Sequence, residues 1–215
     1  MTLNKLREVL NSLTRLDIKS KSEVIIHKKY KYIVDNISNT LDKRIIGTWK
    51  NNNRSLRLDL DLSKIEREKL KNKKVKGKNI FQRIISHRNQ LIRDFKRIIK
   101  QEEAKKKKSL RERLRSEYYK VKRTVVTDSH RIIENTKSTF YDKAIQKNEN
   151  IEKVWICRFV RSRDAHKEMH EQVADENGYF TAPTGEKTKY PGGFGIAKLD
   201  INCHCRVKLR RKNNV

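Results

Sequence analysis

Leu3, Leu6, Leu10 and Leu13 recur at intervals of three and four residues, which lines one stripe of a helix with apolar side chains. Ser20-Lys-Ser-Glu23 has the form of a capping box, Ser followed three residues later by Glu, and it precedes the apolar run Val24, Ile25, Ile26. It predicts the start of a second helix, which "GTWKNNNRS" is expected to interrupt. Leu56, Leu58, Leu60 and Leu62 then alternate with Arg57, Asp59 and Asp61, the period of a half-buried extended segment. A further capping box, Ser63-Lys-Ile-Glu66, opens another helix, with Gly77 as its expected stop. From about Asn79 to Lys147 there is neither Pro nor Gly. Ile80, Ile84, Leu91, Phe95 and Ile98, and later Leu110, Leu114, Tyr118 and Val121, keep helical spacing, so long helices are expected.

The pattern changes at "IEKVWICRFV". β-branched and aromatic residues cluster there, and five of the seven Gly and both Pro follow. The expected order is a strand, a short helix over about Arg163 to Val173, a turn-rich excursion, and a last strand carrying Cys203 and Cys205. The fold class is thus α+β: an elongated, mainly helical amino-terminal body over residues 1–150 and a small α+β domain over residues 151–215.

Composition supports a thin, helical architecture, because charged residues (37%) outnumber hydrophobic ones (35%) in a chain of 215 residues. The net charge is +28; residues 151–215 hold 13 Lys and Arg against 8 Asp and Glu, or +5, which leaves +23 on residues 1–150. Such a field favours a polyanion or an anionic membrane surface and carries no sequence-specific information. The run KKKK reads equally as a solvated helix face or as a phosphate contact, while Tyr118 and Tyr119 read first as packing residues and second as base-stacking ones. No apolar run approaches bilayer-spanning length, and the start is amphipathic rather than a signal peptide, so a cytosolic protein is expected. Three cysteines in a reducing compartment argue against a disulfide framework.

The remaining chemistry lies near the end of the chain. "RSRDAHKEMHEQV" puts His166 and His170 four residues apart, on one face of a helix. Residues two apart on a strand point the same way, so Cys203 and Cys205 present both sulfurs to one side. Two imidazoles and two thiolates suit tetrahedral zinc or another thiophilic metal. The alternative is four unrelated packing and surface residues, since His-x-x-x-His also arises by chance on polar helices. His204 should point away. Cys157 reads as a core residue or a substitute ligand. Lys167 stands where a zinc-protease helix needs its general-base Glu, which disfavours that chemistry, and no phosphate- or dinucleotide-binding glycine pattern occurs.

Several of these residues together resemble a known family. Lys153-Val-Trp155, Arg163-Asp-Ala-His166, His170-Glu-Gln172, Tyr190-Pro191-Gly192 and Asn202-Cys203-x-Cys205 follow the order found in the carboxy-terminal domain of phage minor head proteins, the Mu F-like head morphogenesis family. "RTVVTDSHRIIENTKSTFYDKA" is similar to the helix before that domain, and the resemblance covers about residues 120–208. His204 replaces the family's usual Arg and offers an alternative ligand; Glu171 stands where Gly is common. The resemblance implies a low-copy structural component of the virion interior, present in host cytoplasm during assembly. It would be associated with portal and capsid proteins and with packaged double-stranded DNA without sequence specificity, and ejected with the genome in some members. No enzymatic activity is expected of this domain, and the chain has no room for the toxin domains fused to some members. The alternatives are a metal-dependent, HNH-like nuclease and a general nucleic-acid-binding protein.

Overall fold

The computed structural model describes residues 22–101, 110–148 and 150–212. The helix expected at Leu3 to Leu13, the cap at Ser20 and the KKKK run lie outside them. The fold is α+β, with α1 (Ser22–Leu56), α2 (Lys64–Lys71), α3 (Ile80–Gln101) and α4 (Leu110–Lys147) preceding β1 (Ile151–Ile156). After β1 come α5 (Asp164–Glu168), the short strands β2 (Phe180–Thr181) and β3 (Lys187–Thr188), α6 (Ala197–Asp200) and β4 (Arg206–Arg211). Among the described residues no helix is long and apolar enough to cross a membrane.

Two compact units form, one from Met1–Thr40 and Lys78–Val125, the other from Leu41–Gly77 and Val126–Val215. The change of composition near residue 150 therefore falls inside the second unit, because the last half of α4 is a core element of it. Thr127, Asp128, Arg131 to Thr136, Ser138, Phe140, Tyr141 and Ala144 are all buried, too many for one stripe of a surface helix. In the first unit Ile26, Tyr30, Ile33 and Ile37 of α1, Ile80, Ile84 and Leu91 of α3 and Val121 of α4 are buried at helical spacing.

The break expected at "GTWKNNNRS" does not occur. Ile45 and Trp49 continue the buried stripe of α1 across Gly47, and packing outweighs the roughly 1 kcal/mol that a mid-helix glycine costs relative to alanine. Trp49 meets Phe140 edge-on, with centroids 5.0 Å apart, and its Nε1 donates to Leu60 O at 2.6 Å. Residues 58–63, where the alternation of leucines suggests an extended segment, are non-helical and pair with no strand among the described residues. The Asn53 side chain takes a strand's place, donating to Leu60 O and accepting from Leu60 N, each at 3.0 Å. The capping box at Ser63 and Glu66 is present. α2 stops at Lys71, not Gly77, where the Asn72 side chain folds back to donate to Glu68 O.

β1 and β4 are antiparallel, with Trp155 opposite Val207. On its other edge β1 bonds residues 171–174, through Trp155 N to Gln172 O, Glu171 N to Trp155 O and Ala174 N to Lys153 O. The core under this ribbon gathers Trp49, Phe140, Trp155, Met169, Phe180, Leu199, Cys203, Cys205 and Val207.

Lys153, fully buried, ties β1 to α4: its Nζ donates to Asp142 Oδ1 at 2.8 Å and Ser138 Oγ at 3.0 Å. Burial pushes its pKa below the usual lysine value, against the pull of Asp142. The two partners differ in exposure, 1% for the Lys153 side chain and 33% for Asp142. Asp142→Ala leaves an ammonium stranded in the core and should cost about 3 kcal/mol. Lys153→Met leaves a carboxylate that water reaches and should cost about 1 kcal/mol. Urea unfolding of the two variants checks this order.

Candidate metal centre

α5 holds His166 in its first turn. Arg163, at its N-cap, donates from Nη2 to Ile201 O, which brings the turn before the cysteines against the helix start. That turn is built by Asp200. Its carboxylate accepts from Phe194 N at 3.0 Å, from Gly195 N at 2.8 Å and from Arg131 Nη2 at 3.3 Å, while its carbonyl accepts from Cys203 N at 3.2 Å. Arg131, itself buried, also bonds Asp128 and Gly192 O. Gly192 to Gly195 must run close to the core: a Cβ on Gly193 would stand 2.6 Å from Thr188 Oγ1 and from the Tyr190 ring. Asn202 then turns the chain at φ +55°, a left-handed conformation that Asn adopts more readily than most residues.

This framework brings His166, Cys203 and Cys205 together, with ligand atoms all within 4.8 Å of one another. The Cys203 and Cys205 sulfurs lie 3.7 and 3.6 Å from His166 Nδ1. A tetrahedral ion with metal–sulfur and metal–nitrogen bonds of about 2.3 and 2.0 Å spaces sulfur and nitrogen by about 3.5 Å. The three residues are 1%, 5% and 0% exposed. The His166 ring is held by packing, 5.8 Å from Trp155 edge-on and 6.3 Å from Phe194 in a stack, and its Nε2 has no hydrogen-bond partner among the described residues. Hydrogen bonding between the thiols pushes Cys205 down, against its burial and with help from His166 and Ser162, and pushes Cys203 up together with burial. The residues present can hold a metal.

Two expectations about this site need correction. The cysteines precede the last strand rather than lying on it, since β4 begins at Arg206, yet both sulfurs still face His166. His170 does not join the cluster. The helix ends at Glu168 instead of Val173, so His170 falls in a turn and the four-residue helical spacing no longer sets its direction. Its Nδ1 accepts from Cys157 N at 3.1 Å and its ring meets Phe159 edge-on at 4.7 Å. His204 is half-buried and likewise outside the cluster. The supports that sequence reasoning missed are Arg131, Ser162 and Asp200. Only Asp200 carried a signal, an acidic residue placed just before the Asn-Cys-x-Cys segment.

Glu171, at the position where the resembled family commonly has Gly, adopts φ +64°. A side chain is strained there by roughly 1–2 kcal/mol, so Glu171→Gly should stabilise the unit by about 1 kcal/mol after glycine's own entropy cost. Thermal unfolding checks it.

No family model matches the chain, and no solved structure matches it. A curated protein is similar over 169 residues at 25% identity: NAD(+)--arginine ADP-ribosyltransferase EFV of Enterococcus faecalis (strain ATCC 700802 / V583), with 74% of this chain and 34% of that protein covered. The chain thus spans about a third of the length of that relative. The relative is named as an enzyme, and this overturns the expectation of a chain without enzymatic activity.

Proposed function

We propose that the chain is a phage minor head protein of the head morphogenesis type, with a zinc-stapled carboxy-terminal unit and a basic helical part that contacts the portal and packaged double-stranded DNA. The observation that carries the reading is the convergence of the motif set. Arg163 bonds the carbonyl beside Asn202, His166 meets Cys203 and Cys205, Trp155 walls the histidine, and Gly192 is held by Arg131 on the helix before the domain. Residues far apart in the chain that make one another's structure account for why the motifs occur as an ordered set. Zinc suits the donors, two thiolates and a neutral imidazole, better than magnesium or calcium, which prefer oxygen. Burial of all three donors leaves a phosphodiester no approach to the ion, which argues against the nuclease alternative.

Mass spectrometry with elemental analysis of purified phage particles tests the reading. The protein and about one zinc per copy are expected, and its absence from particles removes the assignment. His166→Ala should abolish stoichiometric zinc in the purified chain, whereas His170→Ala should retain it. Elemental analysis distinguishes this from the two-histidine site that spacing alone suggests.

A second reading follows from the named relative: transfer of ADP-ribose from NAD to an arginine side chain. Its test is labelled NAD with an arginine-bearing acceptor. Label on the acceptor supports that reading, and label remaining with NAD removes it.

A further inference from the structure

We infer that Cys157 supplies the fourth ligand to the metal, closing the site as three thiolates and one imidazole. The inference rests on the zinc reading and deepens it: a tetrahedral structural ion takes four donors, and His166, Cys203 and Cys205 supply three.

Cys157 leaves β1 two residues after Trp155, and an extended chain sends residues two apart to the same side. Trp155 is the wall of His166, so Cys157 belongs to the same face. It is 5% exposed, in one core cluster with Cys203 and Cys205, and its thiol interacts with the Cys205 thiol and the Ser162 hydroxyl. Ser162 Oγ is itself 3.8 Å from Cys205 Sγ, so Cys157 and Ser162 border the same corner of the site. Of the two, a thiolate is an ordinary zinc donor and a neutral serine hydroxyl is not.

His170 acquires a role in this arrangement. By accepting from Cys157 N at 3.1 Å it fixes the backbone of the residue that occupies the coordination position it was itself expected to fill. The Cys157 sulfur stands outside the 4.8 Å group of the other three. Ligation therefore requires Cys157 to change rotamer, and one step about χ1 moves a thiol by about 3 Å. Each sulfur that binds Zn2+ arrives as a thiolate, its proton passing to solvent, and the completed centre carries one net negative charge. The positive charge of Lys167 acts on Cys157 and opposes that charge.

Cobalt(II) loading of the full chain tests the inference, since thiolate-to-cobalt charge-transfer absorbance scales with the number of sulfurs. The wild type should show the intensity of three thiolates with a tetrahedral ligand-field band. Cys157→Ala should lose about one third of the charge-transfer intensity, and His170→Ala should lose none. Full intensity in Cys157→Ala overturns the inference. X-ray absorption of the zinc-loaded wild type gives an answer that does not depend on a variant folding: three sulfurs and one nitrogen are expected, and two sulfurs with two light atoms overturn the fourth ligand while leaving zinc in place. A wild-type chain that takes up neither metal defeats the zinc reading itself.

Discussion

If the site holds zinc as proposed, stripping the metal from the intact chain with a chelator is expected to lower the stability of the unit that contains the site by about 4 kcal/mol, the mass-action term when free metal stands about 1,000-fold above its Kd. Little else fixes the segment that the ion joins. Residues 192–205 belong to no sheet and hold their course through the Asp200 carboxylate, the Arg131 guanidinium and the bond from Arg163 to Ile201 O. On the proposed zinc reading the ion ties His166 to Cys203 and Cys205 across 37 and 39 residues of chain, and that loop closure must otherwise be met by packing alone. Without metal, two buried cysteine side chains and a buried imidazole are left facing one another with nothing to join them. A loss of that size should lower the melting temperature by on the order of 10–15 °C. Trp49 and Trp155, the two tryptophans of the chain, both lie in this unit, so tryptophan fluorescence follows its melting. Cys203→Ala and Cys205→Ala should reproduce the loss, and chelator should then add little, because the interactions removed are the same ones. An unchanged melting curve after complete chelation would sink the staple, and the three residues would be packing groups.

The legible parts of this molecule were those set by local repeats and by short-range bonds. The stripe of Ile80, Ile84 and Leu91 in α3 and the Ser63 box each follow from a few neighbouring residues, and the fold class followed from such elements. The Cys-x-Cys pair was legible as two sulfurs turned to one side, and both do face His166 although the segment lies outside the strand. What was misjudged depended on distant partners. Gly47 and the asparagines after it argue for a helix end, but the place of Trp49 between Phe140 and Leu60 extends the helix past them. His170 shared a face with His166 only if the helix continued, and the helix gave way to a turn whose residues bond β1. Lys153 is a hydrophilic residue in a strand, and nothing local to it announces that Asp142 and Ser138 wait inside.

On the proposed reading, affinity for double-stranded DNA is expected to fall by about 10³- to 10⁵-fold between 50 and 200 mM salt, the range for 6–10 phosphate contacts. The charge on residues 1–150 is ample for that number, but its distribution decides how much of it reaches a duplex. Some cations are already engaged: Lys31 pairs with Asp35 at 2.9 Å and Lys120 with Glu117 at 2.5 Å, and a phosphate must compete with those carboxylates. Arg115 and Arg123 on α4 and Lys28 on α1 are exposed on the first unit, and the KKKK run adds to the same stretch of sequence. If Arg115 and Arg123 each neutralise one phosphate, replacing both with Gln lowers the slope of log K against log salt by about 1.8, since each contact contributes about 0.9. The loss should be equal for duplexes of different sequence, because phosphate contacts position a protein without reading bases. Fluorescence anisotropy across a salt series measures both quantities. A slope near zero, or no binding at 50 mM salt, removes DNA from the proposal and leaves the charge to serve an acidic protein surface; a slope that survives the double substitution moves the contacts to other cations of the chain.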